Sequence, residues 1–405
     1  MFKKIFRSSV IRTDISQFAY YLVGYGGVIV FGYILNVLIN KTLSLNELGM
    51  FSYVQGVVNI LSPLLCFSFY NLYLRFHKEH TLSLSLLRFG IPFYLFSLVG
   101  CGIVITFITH SVLPVLYAMI VFFTERQYIL RVQMQMWSLN MLRLLELFIP
   151  IVGLLVAYIF KVSVSANVLL FLYGIGFSTA FCFNAKSRTN QDPVVKKNLM
   201  RYLVPTVATS FLTYFLLNAG AVLAKYYFNL PGAAQWGVAM RAALIFKSFT
   251  ALFLLFFPMI YFREAEKSNY RLINIYRCAI IVVAILAALP FIIFPKKFYF
   301  LFGAADYYST SILLSLLIGG ELCNFISSLF GLFFDFEIKT WKNTIFKCVN
   351  SVLFLGCAYL IAEKGITYLA FSYLSSMILC LAGIIIFGFR VEFKYFSLKK
   401  QTGVH

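Results

Sequence analysis

The sequence predicts an all-α integral membrane protein of about twelve spans, arranged as two six-helix halves. Three observations predict it. First, long apolar segments fill the chain, near 17–39, 50–72, 88–109, 112–133, 143–161, 166–184, 202–224, 233–261, 273–294, 308–333, 343–361 and 366–389. Each is close to the roughly 20 residues that cross a bilayer as a helix. Second, the 34 Lys and Arg fall in alternate gaps. With the N-terminus inside, the outward gaps hold only Lys41, Lys161, Lys225, Lys296, Lys297 and Lys364, while Arg241 and Lys247 lie within a span. Every other Lys and Arg lies in an inward gap or toward the inner end of a span beside one, which is the positive-inside pattern of short-looped membrane proteins. Third, 61% of the chain is apolar and 12% charged, about half the charged fraction of a soluble domain.

The elements follow in order. Residues 1–16 set Lys3, Lys4, Arg7 and Arg12 among Phe2, Ile5, Phe6 and Val10, an amphipathic cytoplasmic N-terminus. A cleaved signal peptide is not expected, because the apolar run from Phe18 is long and no small-residue cleavage site follows. Residues 17–184 form the N-terminal lobe. Its first span carries Tyr21, Tyr25, Asn36 and Asn40 roughly on one face. Gly24, Gly26 and Gly27, like Gly100, Gly102, Gly174 and Gly176, read as close helix packing; no strand precedes them, as a phosphate loop requires. Pro63, Pro92, Pro150, Pro205 and Pro258 permit kinks. Arg75 reads as an interface anchor, and His77 and His80 as part of a basic loop rather than a metal site.

The fourth span is the weakest. Its apolar core, Val112 to Phe123, is short and is followed by Glu125, Arg126 and Arg131. Removing it would turn Lys186, Arg188, Lys196, Lys197 and Arg201 outward, against the charge rule. Arg143 and Glu146, at i and i+3, read as a local ion pair. Residues 185–201 form a basic cytoplasmic linker. The C-terminal lobe is 202–389 and the cytoplasmic tail 390–405. Six spans per half bring both halves into the membrane from the same side, so the repeat they predict is parallel, about an axis along the membrane normal. The first span of the second lobe repeats the polar face of span 1, with Ser210, Tyr214, Asn218 and Lys225. Such stripes need protein or water, since a polar group facing lipid costs several kcal/mol if unpaired. The eight Cys lie in or at the ends of spans without a C-x-x-C pair and read as small apolar residues.

The charges inside the membrane carry the functional reading. A Lys or Arg at mid-bilayer costs about 2.5–3.5 kcal/mol even on the lenient scale. Lys247 sits near the middle of span 8, with Arg241 six residues closer to the exterior. Glu321 is as unexpected in span 10. Arg241 and Lys247 are about 120° apart around the helix, so one can face a cavity while the other pairs with Glu321. Two readings stand: a buried ion pair that fixes helix register, or a cationic cavity that attracts an anion. The substrate-binding candidates are Arg241, Lys247, Lys225, Asn218, Tyr214, Ser210, Tyr25 and Asn36; Glu321 is the ion-coupling candidate. No catalytic residue, metal or organic cofactor is expected. The net charge of +20 belongs to loops that meet anionic lipid, not to nucleic acid.

The layout resembles the bacterial O-antigen translocases of the multidrug/oligosaccharidyl-lipid/polysaccharide exporter superfamily. The resemblance covers nearly the whole chain. Its local matches are Leu45-Asn46-Glu47-Leu48-Gly49-Met50-Phe51-Ser52-Tyr53, Gln235-Trp236-Gly237-Val238-Ala239-Met240-Arg241, and Phe302-Gly303 with Tyr307. One departure is Leu223-Ala224-Lys225-Tyr226, which lacks the acid often found near that point in the family. The resemblance implies a MATE-like fold and a bacterial inner-membrane flippase with both termini cytoplasmic. Its cargo would be an undecaprenyl-diphosphate-linked oligosaccharide, moved by alternating access through a cationic central cavity. A proton or sodium ion is left open as the coupling ion. Membrane lipids and other polysaccharide-assembly membrane proteins are the expected partners. An ion-coupled small-molecule exporter of the same fold is the nearest alternative, but its cargo is usually cationic and calls for an acidic cavity. A membrane polymerase or glycosyltransferase is the second; the longest outward gap, about 295–307, carries one acid, Asp306, and leaves little room for one.

Overall fold

The computed structural model describes residues 9–67, 69, 82–133, 135–183, 187–188, 195–267, 269–336 and 340–395, with the backbone alone for 9–23, 195–204 and some other positions. The amphipathic N-terminus, the side chain of Tyr21, Arg75, His77, His80, most of the basic linker and the end of the tail lie outside the described side chains. The helices are α1 Ser9–Thr42, α2 Leu45–Leu65, α3 Leu84–Thr109, α4 Ile120–Val132, α5 Met136–Ile159, α6 Ala166–Ser178, α7 Val195–Glu266, α8 Tyr270–Ile293, α9 Ile312–Phe336, α10 Thr340–Ile361 and α11 Ile366–Gly383. One short parallel strand pairing is present among the described residues, Leu82–Ser83 with Ser187–Arg188. Among the described residues nine helical stretches are long and apolar enough to cross a membrane. Many large apolar residues face outward: Phe107, Phe160 and Leu360 are 78%, 73% and 75% exposed. In water such a surface would aggregate; in hydrocarbon it needs no cover. The chain is a multi-pass membrane protein.

Local chemistry explains the corners. The weak fourth span starts as a 3-10 helix, Leu113–Met119, with Pro114 in its first turn, and then continues as α4. α5 ends as Lys161 adopts a left-handed conformation, and Ser165 caps α6 by accepting from Val168 N. α7 is far longer than one span; Asn229 breaks it at φ 57°, ψ −161°. With its ψ far from the αL value, this is a positive-φ conformation that side-chain-bearing residues rarely adopt, so the corner is a strained one. Pro231 then restarts the helix in the first turn, where its missing N–H costs nothing. A tight corner thus stands where a loop near 225–232 was expected. α11 continues through a π-helical turn, Ile384–Phe389, and stays helical to residue 395.

The chain divides into two compact units, Met1–Ser44 with Leu61–Val207, and Leu45–Ile60 with Ala208–His405. In the first, α1 lies along α5: Gly24 leaves room for Asn140, and Gly27 touches Leu144. Gly174 and Gly176 of α6 approach the backbones of Leu116–Tyr117 and of Glu146. Each is the close packing that small residues allow. In the second, Phe257, Tyr261, Ile273, Phe325, Leu329, Phe333 and Phe334 form a buried cluster where α7, α8 and α9 meet.

Candidate functional site

The second unit contains residues 45–60 of α2 beside both limbs of α7, and three of the candidate residues, Asn218, Lys225 and Arg241, meet α2 there. Gly49, Ser52, Gly56 and Asn59 lie at 3, 4 and 3 residue steps, one face of α2. A side chain at Gly49 would collide with the Leu230 backbone at the corner, and one at Gly237 with Ser52 Oγ. Gly56 approaches the Asn218 carbonyl. Along this seam Asn59 Nδ2 donates to Asn218 Oδ1 at 3.2 Å, and Asn218 Nδ2 donates to the Tyr214 carbonyl at 2.8 Å. Lys225 places its ammonium 4.4 Å from the centre of the Tyr53 ring. Arg241 is 5% exposed; its Nη1 donates to Ser52 Oγ at 3.1 Å, and its guanidinium lies 6.0 Å from the Phe51 ring centre. Two of the three segments that carried the family resemblance, 45–53 and 235–241, are therefore packed on each other.

Asn218, Lys225 and Arg241 thus share α2 as a neighbour, and Tyr214 joins them through its carbonyl, which accepts from Asn218. Ser210 is part-buried on the same helix as Tyr214. Tyr25 and Asn36 belong to the first unit: Tyr25 is 6% exposed, with the Arg143 guanidinium over its ring, and Asn36 is part-buried. Lys247 differs from all of these. It is part-exposed, and among the described residues its side chain makes no ion pair or hydrogen bond.

Three expectations need correcting. Neither Arg241 nor Lys247 pairs with Glu321 among the described residues. Glu321 is 4% exposed and accepts from the Tyr373 hydroxyl at 3.1 Å. Its nearby cation is Lys347, within Coulomb range and donating to Asn324 Oδ1 at 2.8 Å. Charge counting assigned Lys347 to an inner gap, whereas α10 carries it two turns into the helix. Arg143 and Glu146 form no ion pair either, because the guanidinium lies on Tyr25, 5.4 Å from the ring centre, instead. The third concerns Glu392, which falls in the expected cytoplasmic tail 390–405, and Arg277, which the charge pattern counts among the inward-gap cations. Both are 1% exposed and joined by two hydrogen bonds, at 2.7 and 3.0 Å; Tyr261 donates to the same carboxylate at 2.6 Å. The helix that continues α11 supplies Glu392, so its charge is neutralised rather than solvated.

The fold also has solved counterparts. A MATE transporter in the straight conformation superposes with a TM-score of 0.65 at 11% identity, over 95% of this chain and 96% of that one. The chain has the MATE fold. An inward-facing multidrug resistance MATE family transporter of the MOP superfamily gives 0.62 at 14% identity, over 93% of this chain and 96% of that one. The lipid II flippase MurJ, in an inward closed conformation, gives 0.62 at 13%, over 94% and 89%. Neither a scan against family models nor a search of curated proteins finds a match. Asn59 was the partner that sequence reading missed. Its signal was the small-and-polar spacing 49, 52, 56, 59, which marks a helix face built for close approach.

Proposed function

We propose that this protein is a flippase that carries an undecaprenyl-diphosphate-linked oligosaccharide repeat unit, of O-antigen or a related surface polysaccharide, across the bacterial inner membrane. The observation that supports this reading best is Lys247. An ammonium in a 48-residue apolar stretch, part-exposed and without a side-chain partner among the described residues, needs water or an anion beside it. A diphosphate is such an anion, and it crosses hydrocarbon only where cations offset its charge. Arg241 and Lys225 add positive charge along α7, one fixed by Ser52 and the other by Tyr53. Sugars find hydrogen-bonding groups in Tyr214 and Asn218. Exposure of this polar face to one leaflet and then the other moves the headgroup, while the lipid tail stays in hydrocarbon. Glu321, held by Tyr373, is the proposed coupling group for a proton or sodium ion.

The alternative is an ion-coupled small-molecule exporter. Its support is fold likeness to multidrug MATE transporters; the unpaired intramembrane lysine weighs against the cationic cargo such a site usually takes. Lys247→Glu and Arg241→Glu test the choice in cells. Loss of surface polysaccharide, with complete lipid-linked repeat units accumulating at the inner leaflet and the variants still inserted, is the expected result. Normal export from both variants overturns the reading.

A further inference from the structure

Arg143 has no role in the site above. It projects from α5 two turns after the helix start, within a stretch apolar enough to span the bilayer. Its guanidinium lies over the buried Tyr25 ring, 5.4 Å from its centre. Among the described residues its side chain makes no hydrogen bond and no ion pair. Glu146, one turn further along α5, is within Coulomb range only. Arg131, from α4, shares with Arg143 the Coulomb range of the Tyr128 hydroxyl. Asn140, one turn before Arg143, is 1% exposed, and its Oδ1 has no hydrogen-bond partner among the described residues. Gly24 makes the space it occupies. All of these residues belong to the first unit.

A guanidinium stacked on a ring has its face satisfied and its N–H edge free. That edge fits a planar fork of oxygens, which carboxylates and phosphates both present. Of the two, phosphate is the oxygen fork that membrane lipids commonly carry, which favours a phosphate or diphosphate. The surroundings are membrane-spanning, so such a group arrives on a lipid. We propose that Arg143, laid on Tyr25, binds the phosphate of a lipid headgroup in the half of the bilayer nearest the start of α5. The site rests on the flippase reading only for whether that lipid is the cargo.

Full-length protein in detergent, titrated with farnesyl diphosphate, tests the proposal. Arg143→Gln should weaken binding about tenfold or more, as losing a charge-assisted fork does. Arg143→Lys keeps charge and fold but loses the fork, and should fall between. Tyr25→Leu should weaken binding about threefold with Arg143 in place. Farnesol should not bind through this site. Two further probes name the source: dioleoylphosphatidylglycerol competing through Arg143 marks a bulk phospholipid, and inorganic pyrophosphate binding equally well marks a free anion. Equal affinity of Arg143→Gln and wild type for farnesyl diphosphate, or equal binding of farnesol, overturns the site. The two readings fail separately. If Lys247→Glu still exports polysaccharide while phosphatidylglycerol binds through Arg143, the site stands and the flippase falls. If Lys247→Glu blocks export and Arg143→Gln binds the diphosphate normally, the reverse holds.

Discussion

At the scale of single residues, position around the helix decides what a glycine does. Gly24 and Gly26 sit two apart in α1, and both read from the sequence as packing residues. Only Gly24 faces α5, where an added Cβ would collide with the Asn140 amide; nothing lies within 4 Å of a Cβ at Gly26. Gly24→Ala should therefore cost about 1–3 kcal/mol, the usual cost of overpacking. Gly26→Ala should be neutral or stabilising by up to about 1 kcal/mol, since it removes backbone freedom from a helix interior. Thermal unfolding of the two variants in detergent checks both signs; equal effects would mean that α1 does not pack as described. The charged residues show where sequence reading stops. Lys247 was legible as anomalous because an amine in an apolar run violates a one-dimensional rule. That Arg143 would leave Glu146 for Tyr25 was not, because the choice depends on a ring delivered by another helix, over a hundred residues away.

At the scale of elements, the helices were legible and their ends were not. Apolar length and charge alternation located the helical segments, but charge was also used to end them. That rule failed where charges neutralise one another. α11 was expected to stop at 389, before Arg390, Glu392 and Lys394, yet its helix continues and buries Glu392 against Arg277 of α8 and Tyr261 of α7. Removing one member leaves a buried charge unpaired, so Arg277→Met should cost about 3–5 kcal/mol. Arg277→Met combined with Glu392→Gln should recover most of that loss, because the neutral amide still accepts from Tyr261 and no charge remains to desolvate. Chemical unfolding of the single and double variants decides. A double variant no better than Arg277→Met would mean that the attraction of the ions, rather than the penalty of an orphaned charge, sets the stability. The corner at Asn229 makes a related point. The dipeptide Asn229-Leu230 before Pro231 is a turn signal, but that the two limbs would meet in a single positive-φ residue needs the close approach of Gly49 to Leu230.

At the scale of the whole molecule, orientation follows from charge alone, and the transport reading depends on it. The stretch around the Asn229 corner holds Lys225 as its one basic residue, whereas the turn between α7 and α8 holds Arg263, Lys267 and Arg271. Retaining a basic turn inside is favoured by the anionic inner surface, worth about 1 kcal/mol per Lys or Arg. Aromatic residues agree: Trp137 and Trp341, 68% and 53% exposed, sit at the starts of α5 and α10, both expected inner ends. Tyr226 and Tyr359, each 78% exposed, sit at expected outer ends, as residues that favour the membrane interface should. Reporter fusions after residues 229 and 303 should therefore be active only outside, and one after residue 267 only inside. Replacing Arg263, Lys267 and Arg271 with Gln should leave some chains mixed at the last position, since the bias comes from those side chains rather than from the fold. An inside reporter at 229 with an outside one at 267 would invert α7. Lys225 would then open toward the cytoplasm, and a cargo loaded at the inner leaflet would meet this cation first instead of last.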